Sequence, residues 1–115
     1  MTERGVITKK YSAMQVQIHS IHFDADRRLL DFIQEKLEKL NTFHDSLIRA
    51  EVFLRLEKNS DNENKVAEVK LHVPGADLFA KRRASSFEAA GDEVTEALRR
   101  QILKQRKRRD ASLAH

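Results

Sequence analysis

The sequence predicts a single α+β domain in the order β-α-β-β-β-α. A four-stranded mixed sheet carries two helices packed on one of its faces. Three observations predict this. Two segments place apolar residues at helical spacing, and four shorter ones alternate apolar with polar. The strands pattern for burial on one face only, so a single layer of helices completes the core. A chain of 115 residues fits one such domain.

Residues 1–13 are polar with no clear period and read as a flexible N-terminal arm. The domain follows over 14–109, and 110–115 read as a short frayed tail. Gln15 to Ser20 is the first strand, with Val16 and Ile18 inward. Asp24 or Asp26 then caps a helix that runs to about Asn41. Leu29, Leu30, Ile33, Leu37 and Leu40 form its apolar stripe. At about 100° per residue, Arg28, Lys36 and Lys39 share one flank with Phe32, while Asp31, Glu35 and Glu38 lie on the far side.

Ile48 to Glu57 alternates again, with Ile48, Ala50, Val52, Leu54 and Leu56 inward and Phe53 outward. Asn59 to Asn64 is a polar loop. The next strand, Val66 to Val73, turns inward Ala67, Val69, Leu71 and Val73. Pro74-Gly75 fits the centre of a type II turn, where Pro sets φ and Gly accepts a positive one. Ala76 to Arg83 returns as a hairpin partner with Leu78 and Ala80 inward and Phe79 outward. Ser85 or Ser86 caps the second helix. Its stripe is Phe87, Ala90, Val94, Leu98 and Ile102, with Gly91 beside it permitting close approach to the sheet. The first helix is a crossover, so the strands it joins should be parallel neighbours. The remaining strands follow as antiparallel hairpins. This layering is like that of a double-stranded-RNA-binding domain.

Charge is distributed unevenly along this frame. Residues 1–80 hold 12 Lys/Arg against 13 Asp/Glu, a net of −1, and residues 81–115 hold 10 against 5, a net of +5. The run RRQILKQRKRR, Arg99 to Arg109, has seven basic residues and no acidic one. Like charges at i,i+4 repel on a helix by a few tenths of a kcal/mol per pair. A polyanion removes that cost, and nucleic acid is the commonest one. Lys81-Arg82-Arg83 adds another cluster at the end of the last strand. On the second helix Arg100, Lys104, Lys107 and Arg108 form one flank and Arg99 and Arg106 the other, with Leu103 between them.

Other chemistries find little support. The chain has no cysteine, so thiolate metal sites and disulfides are excluded. His19 and His22 lack a third ligand nearby, and His44-Asp45 reads as a loop contact rather than an acid–base pair. There is no Walker motif, nucleophile elbow or Gly-rich phosphate loop. No apolar run approaches the roughly 20 residues of a membrane span, and the N-terminus lacks the apolar core of a signal peptide. The expectation is therefore a cytoplasmic binding protein, not an enzyme, without cofactor, metal, membrane or small-molecule substrate.

The segments MQVQIHS, FIQEKLEKL, VFLRLEK, LHVPGADLFA and SSFEAAGDEVTEALRRQILKQRK, taken in order, give the chain a resemblance. It resembles the ribosome hibernation-promoting factor and ribosome-associated inhibitor family, also called the sigma-54 modulation family, in its short single-domain form. The match covers about Met14 to Arg108. The resemblance implies a bacterial protein, monomeric when free, that binds the small ribosomal subunit in slow growth or stress. There it would occupy the channel of mRNA and tRNA near the decoding centre and inhibit translation through contacts with ribosomal RNA phosphates. Lys36 and Lys39 match the family's Lys-x-x-Lys. Arg55 and Lys58 match basic positions at the end of the second strand, His72 the His of a Leu-His-Val strand, and Arg100, Gln101 and Lys104 the basic second helix. Two places depart from the pattern. The usual Asp-x-Tyr is Ser86-Phe87-Glu88, and the usual Ala-Ile-Asp is Ala90-Gly91-Asp92. The long form's C-terminal domain is not in this sequence, which puts in doubt the pairing of two ribosomes by this chain alone.

The expected RNA-binding set is Arg28, Lys36, Lys39, Arg55, Lys58, Lys81, Arg82, Arg83, Arg99, Arg100, Lys104, Arg106, Lys107 and Arg108. The clusters Lys81 to Arg83 and Arg99 to Arg109, with Lys36 and Lys39, should share one broad surface. Two other functions stay open. One is a general double-stranded RNA module reading shape and phosphates. The other is a protein–protein regulator using the exposed sheet face with Phe53 and Phe79, two residues that in an RNA binder would instead be base-stacking platforms.

Overall fold

The computed structural model describes residues 6–9, 14–42, 49–58 and 63–113. Its elements are β1 (Val6–Lys9), β2 (Gln15–Ile21), α1 (Arg27–Glu38), a 3-10 turn (Lys39–Thr42), β3 (Arg49–Leu56), β4 (Lys65–Val73), β5 (Ala76–Ala84) and α2 (Phe87–Leu113). The strands lie in chain order across the sheet. β2 and β3 are parallel, as a crossover through α1 requires, with Val16 opposite Ala50 and Ile18 opposite Val52. β3–β4 and β4–β5 are antiparallel, with Val52 opposite Val69 and Leu71 opposite Leu78. The four expected strands and two helices are thus present in the expected order.

One strand is additional. Within the stretch expected to be a flexible arm, Val6–Lys9 pairs antiparallel with β2, Val6 facing His19 and Ile7 facing Ile18. The strand β2 has β3 on one side only. Its other edge offers unpaired backbone groups, and a short run with two β-branched apolar residues satisfies them.

Asp26, of the two candidate aspartates, caps α1: its Oδ1 accepts from the Leu29 N–H at 2.9 Å. The α-helix ends at Glu38, earlier than expected, and the 3-10 turn carries the chain on to Thr42. Ser86 caps α2, its Oγ accepting from the Ala89 N–H at 3.0 Å. The α2 backbone continues to Leu113, so the expected tail from 110 is still helical at its start. The predicted inward position Ile48 and the pair His44-Asp45 lie outside the described residues.

The core forms where the helices cover the sheet. Val16, Ile18, Ala50, Val52, Leu54, Ala67, Val69, Leu71 and Ala80 from the strands meet Leu29, Leu30, Ile33, Leu37 and Leu40, and Ala90, Val94, Leu98 and Ile102 from the helices. Each large side chain buried this way contributes roughly 1.5–3 kcal/mol. Leu56 and Leu78, expected inward, are half-buried, since both lie toward strand or sheet margins.

Gly91 answers a contact other than the expected one. A Cβ there would meet Ile33 Cδ1 at 2.7 Å. The close approach is between the helices, not between α2 and the sheet. Gly75 has φ +80, as the second central residue of the type II turn demands. His22 also adopts a positive φ, +70, where the chain leaves β2 toward α1.

Candidate nucleic-acid interface

The fourteen candidate basic residues divide between two faces of the molecule. Strand alternation decides the division for Lys81 to Arg83. In β5, Arg82 lies opposite Ala67 and so belongs to the helix-covered side, at its rim. Lys81 and Arg83 lie opposite Glu68 and Val66 and point to the other face. The single surface expected for this cluster is therefore two surfaces, because neighbours in a strand point in opposite directions.

On the outer face Arg55, Lys81 and Arg83 are compensated by carboxylates, whereas Lys70, opposite Glu51 and Phe79, is exposed and in no ion pair among the described residues. Arg55 Nη1 lies 2.5 Å from Glu68 Oε1, and Lys81 Nζ lies 3.8 Å from the same carboxylate oxygen. Arg83 Nη2 donates to Glu57 Oε1 at 2.5 Å. Val66 is wholly buried between its register partners Arg55 and Arg83, whose positions on the outer face shield it. Further along, His72 Nε2 lies 2.7 Å from Glu51 Oε2, and Nδ1 lies 2.8 Å from Asp77 Oδ1. Arg49 adds contacts to both Glu51 and His72. The hydrogen bond to Glu51 pulls the His72 pKa upward, burial opposes it and Asp77 reinforces it. The same bond holds the Glu51 carboxyl below its usual range, against its partial burial. His72, read from the resemblance as a family position, is thus part of a charge ladder across β3, β4 and β5. Arg49 was missed in the sequence because only strand register brings it to His72.

The aromatic pair on that face is also divided. Phe53 stacks on His19, with ring centroids 4.8 Å apart and planes 10° from parallel. Phe79 is 48% exposed, and its carbonyl accepts from Gln101 Nε2 at 2.8 Å. That bond ties α2 to the outer edge of the sheet.

The helix layer carries both paired and unpaired cations. Among the described residues, Arg28, Lys39, Lys104, Lys107 and Arg108 are exposed and take part in no ion pair. Among the described residues Arg82 donates to the Lys81 carbonyl alone, at 2.8 Å, and it lines a depression of about 310 Å³ with Asp92, Glu93, Glu96, Ala97 and Arg100. Lys36 lies 2.5 Å from Asp92 and 5.4 Å from the centre of the Phe32 ring, so it clamps α1 to α2. Arg99 pairs with Glu96 through two hydrogen bonds, and Arg100 lies 3.6 Å from the same carboxylate. Arg106 is exposed on the flank of Arg99. Lys58 is exposed just past β3, beside an open cleft lined by His22, Arg55, Leu56, Glu57 and Arg83.

Among the described side chains the last buried apolar residue of α2 is Ile102, and Leu103 is 40% exposed. Beyond this point the helix leaves the core and carries Lys104, Arg106, Lys107 and Arg108 into solvent. The arrangement suits contact with phosphates, which accept from guanidinium and ammonium groups without any base being read. Among the described residues no group of three His, Cys, Asp or Glu could hold a metal ion, and no helix is long and apolar enough to cross a membrane.

Residues 16–110 match the sequence model of the family described as Sigma 54 modulation protein / S30EA ribosomal protein. The chain is 29% identical over 100 residues to a ribosome hibernation promoting factor of Pseudomonas putida, covering 87% of this chain and 94% of that protein. It is 30% identical over 95 residues to a protein of the same name from Azotobacter vinelandii, covering 83% and 85%. Among solved structures, the N-terminal domain of Thermus thermophilus Protein Y aligns with a TM-score of 0.63 at 23% identity, over 74% of this chain and 92% of that one. A ribosomal subunit interface protein from Coxiella burnetii aligns with a TM-score of 0.69 at 16% identity, over 82% and 97%. At such identities the structural matches speak for the fold alone.

Proposed function

Since the chain belongs to the Sigma 54 modulation protein / S30EA ribosomal protein family, we propose that it is a ribosome hibernation factor acting in the bacterial cytoplasm. It binds the small ribosomal subunit through ribosomal RNA phosphates, occupies the channel of mRNA and tRNA, and silences translation in slow growth or stress. The binding unit is 14–109. One observation carries the assignment of the binding surface. Among the described residues, Arg55, Lys81 and Arg83 of the outer sheet face are held by Glu57 and Glu68 and only Lys70 stands exposed and unpaired there, whereas Arg28, Lys39, Arg82, Lys104, Lys107 and Arg108 on the helix layer are in no ion pair. The relatives' names, ribosome hibernation promoting factor, support the partner.

Inhibition follows from occupancy alone. A domain seated on phosphates by many weak contacts needs no bond made or broken in the ribosome. Inhibition should then reach completion near one protein per ribosome, reverse on a high-salt wash, and yield to excess mRNA and initiator tRNA. Titration into a cell-free translation reaction tests all three. Full inhibition far below one protein per ribosome, or inhibition that survives the wash, would refute occupancy and indicate an enzyme.

A further inference from the structure

The helix layer carries carboxylates among its cations, and they are not scattered. Glu96 stands at the point where the basic run begins. Its Oε1 accepts from Arg99 Nη2 at 2.6 Å and its Oε2 from Arg99 Nε at 3.0 Å. Arg100 Nε lies 3.6 Å from the same Oε1. One turn earlier, Asp92 holds Lys36 of α1. The side chains of Glu96, Arg99 and Arg100 are 45%, 34% and 73% exposed, so the cluster is open to solvent, most so at Arg100. Exposed pairs of this kind are weak and exchange readily. The pairing keeps Glu96 ionised, because the bond from Arg99 lowers its pKa.

On the reading that this layer docks on RNA, we infer that Glu96 limits affinity. It competes with RNA phosphate for Arg99 and Arg100, so docking exchanges a carboxylate for a phosphate on these guanidiniums. The exchange has a thermodynamic signature. Each phosphate neutralised by a cation releases counterions from the RNA. When the cation is taken from Glu96, an unpaired carboxylate is left beside the RNA and retains a cation of its own. Net release is therefore smaller than the number of basic contacts suggests. A residue that merely positioned Arg99 would have the opposite effect: removing it would weaken binding.

The test compares the wild type with Glu96→Gln, which keeps the shape and removes the charge. Affinity for purified bacterial ribosomes is measured from about 50 to 200 mM salt, the range over which phosphate contacts dominate. Glu96→Gln should bind several-fold more tightly at the low end, with a slope of log K against log salt steeper by about one to two. Glu35→Gln, an exposed carboxylate on α1 outside the arginine cluster, controls for net charge and should show neither change to the same degree. Binding by Glu96→Gln that is equal or weaker, or a Glu35→Gln that matches it, overturns the inference alone. A wild type that fails to bind ribosomes at any salt overturns the proposed function and this inference with it.

Discussion

Gly91 bears no side chain because α1 leaves no room for one: a Cβ would lie 2.7 Å from Ile33 Cδ1. Replacing a helical glycine by alanine ordinarily stabilises by about 1 kcal/mol. Here the gain should be cancelled or reversed, because buried Ile33 must move. In an Ile33→Val background, which removes Cδ1, the gain from Gly91→Ala should return. A double-mutant cycle by urea unfolding checks this, and a coupling of zero would mean that Ile33 swings aside freely. His72 supplies a second prediction. Its folded pKa is raised above the ordinary 6.5, so its contribution to stability is complete below that pH and is lost as pH rises through the folded value. Glu51, with its lowered pKa, contributes above about its ordinary 4.5 and loses that contribution as pH falls through the folded value. The thermal midpoint of the wild type should therefore decline above pH 6.5, and that of His72→Asn should decline less. Superimposable curves would show that the ladder of Glu51, His72 and Asp77 adds no stability.

The helix α2 does two jobs along its length. Up to Ile102 it supplies core, and beyond that point it supplies charge. The two should separate by mutation. Arg100→Glu with Lys104→Glu should reduce ribosome binding at least tenfold while leaving the unfolding midpoint nearly unchanged, since both side chains face solvent. Val94→Ala should do the reverse, costing roughly 1–2 kcal/mol through lost burial and a residual cavity while binding persists. The contrast with β5 is as informative. Lys81→Gln with Arg83→Gln should affect binding far less than the α2 pair, because those cations serve Glu68 and Glu57 on the other face. Filter binding and denaturant melts on the three variants distinguish the cases. Equal loss of binding from the β5 and α2 pairs would place the outer face in the interface.

Taken whole, the molecule pairs Arg55, Lys81 and Arg83 of the sheet face with carboxylates and carries most of the unpaired cations of the described residues on the helix layer. That predicts strongly salt-dependent binding. If the six unpaired helix-layer cations each neutralise a phosphate, affinity should fall by about a thousandfold between roughly 50 and 200 mM salt. A flat response measured by sedimentation with ribosomes would exclude phosphate contacts as the main source of affinity. The open edge strand β5 bears Lys81, Arg82 and Arg83 together, and such charge discourages edge-to-edge pairing with another copy.

Much of this was legible in the sequence. Alternation at Val16 and Ile18, Val52 and Leu54, and Val69 and Leu71 located the strands. The leucine stripe located α1, and Pro74-Gly75 located the turn. These signals are local: period and turn chemistry act within a few residues, so the chain states them by itself. The basic run from Arg99 was legible for the same reason, whereas the pairing of Glu96 with Arg99 and Arg100 emerged from the structure. Tertiary structure decided the rest. It put Gly91 against Ile33, Lys36 against Asp92, and His72 between Glu51 and Asp77, contacts that depend on which strands and helices become neighbours. It made Val6–Lys9 a strand because β2 had an edge to offer. It also parted Arg82 from Lys81 and Arg83 by giving each face its own partners, so that adjacent residues of like charge met a helix on one side and carboxylates on the other. Local pattern determines what each segment can form; only packing determines which charges are left for a partner.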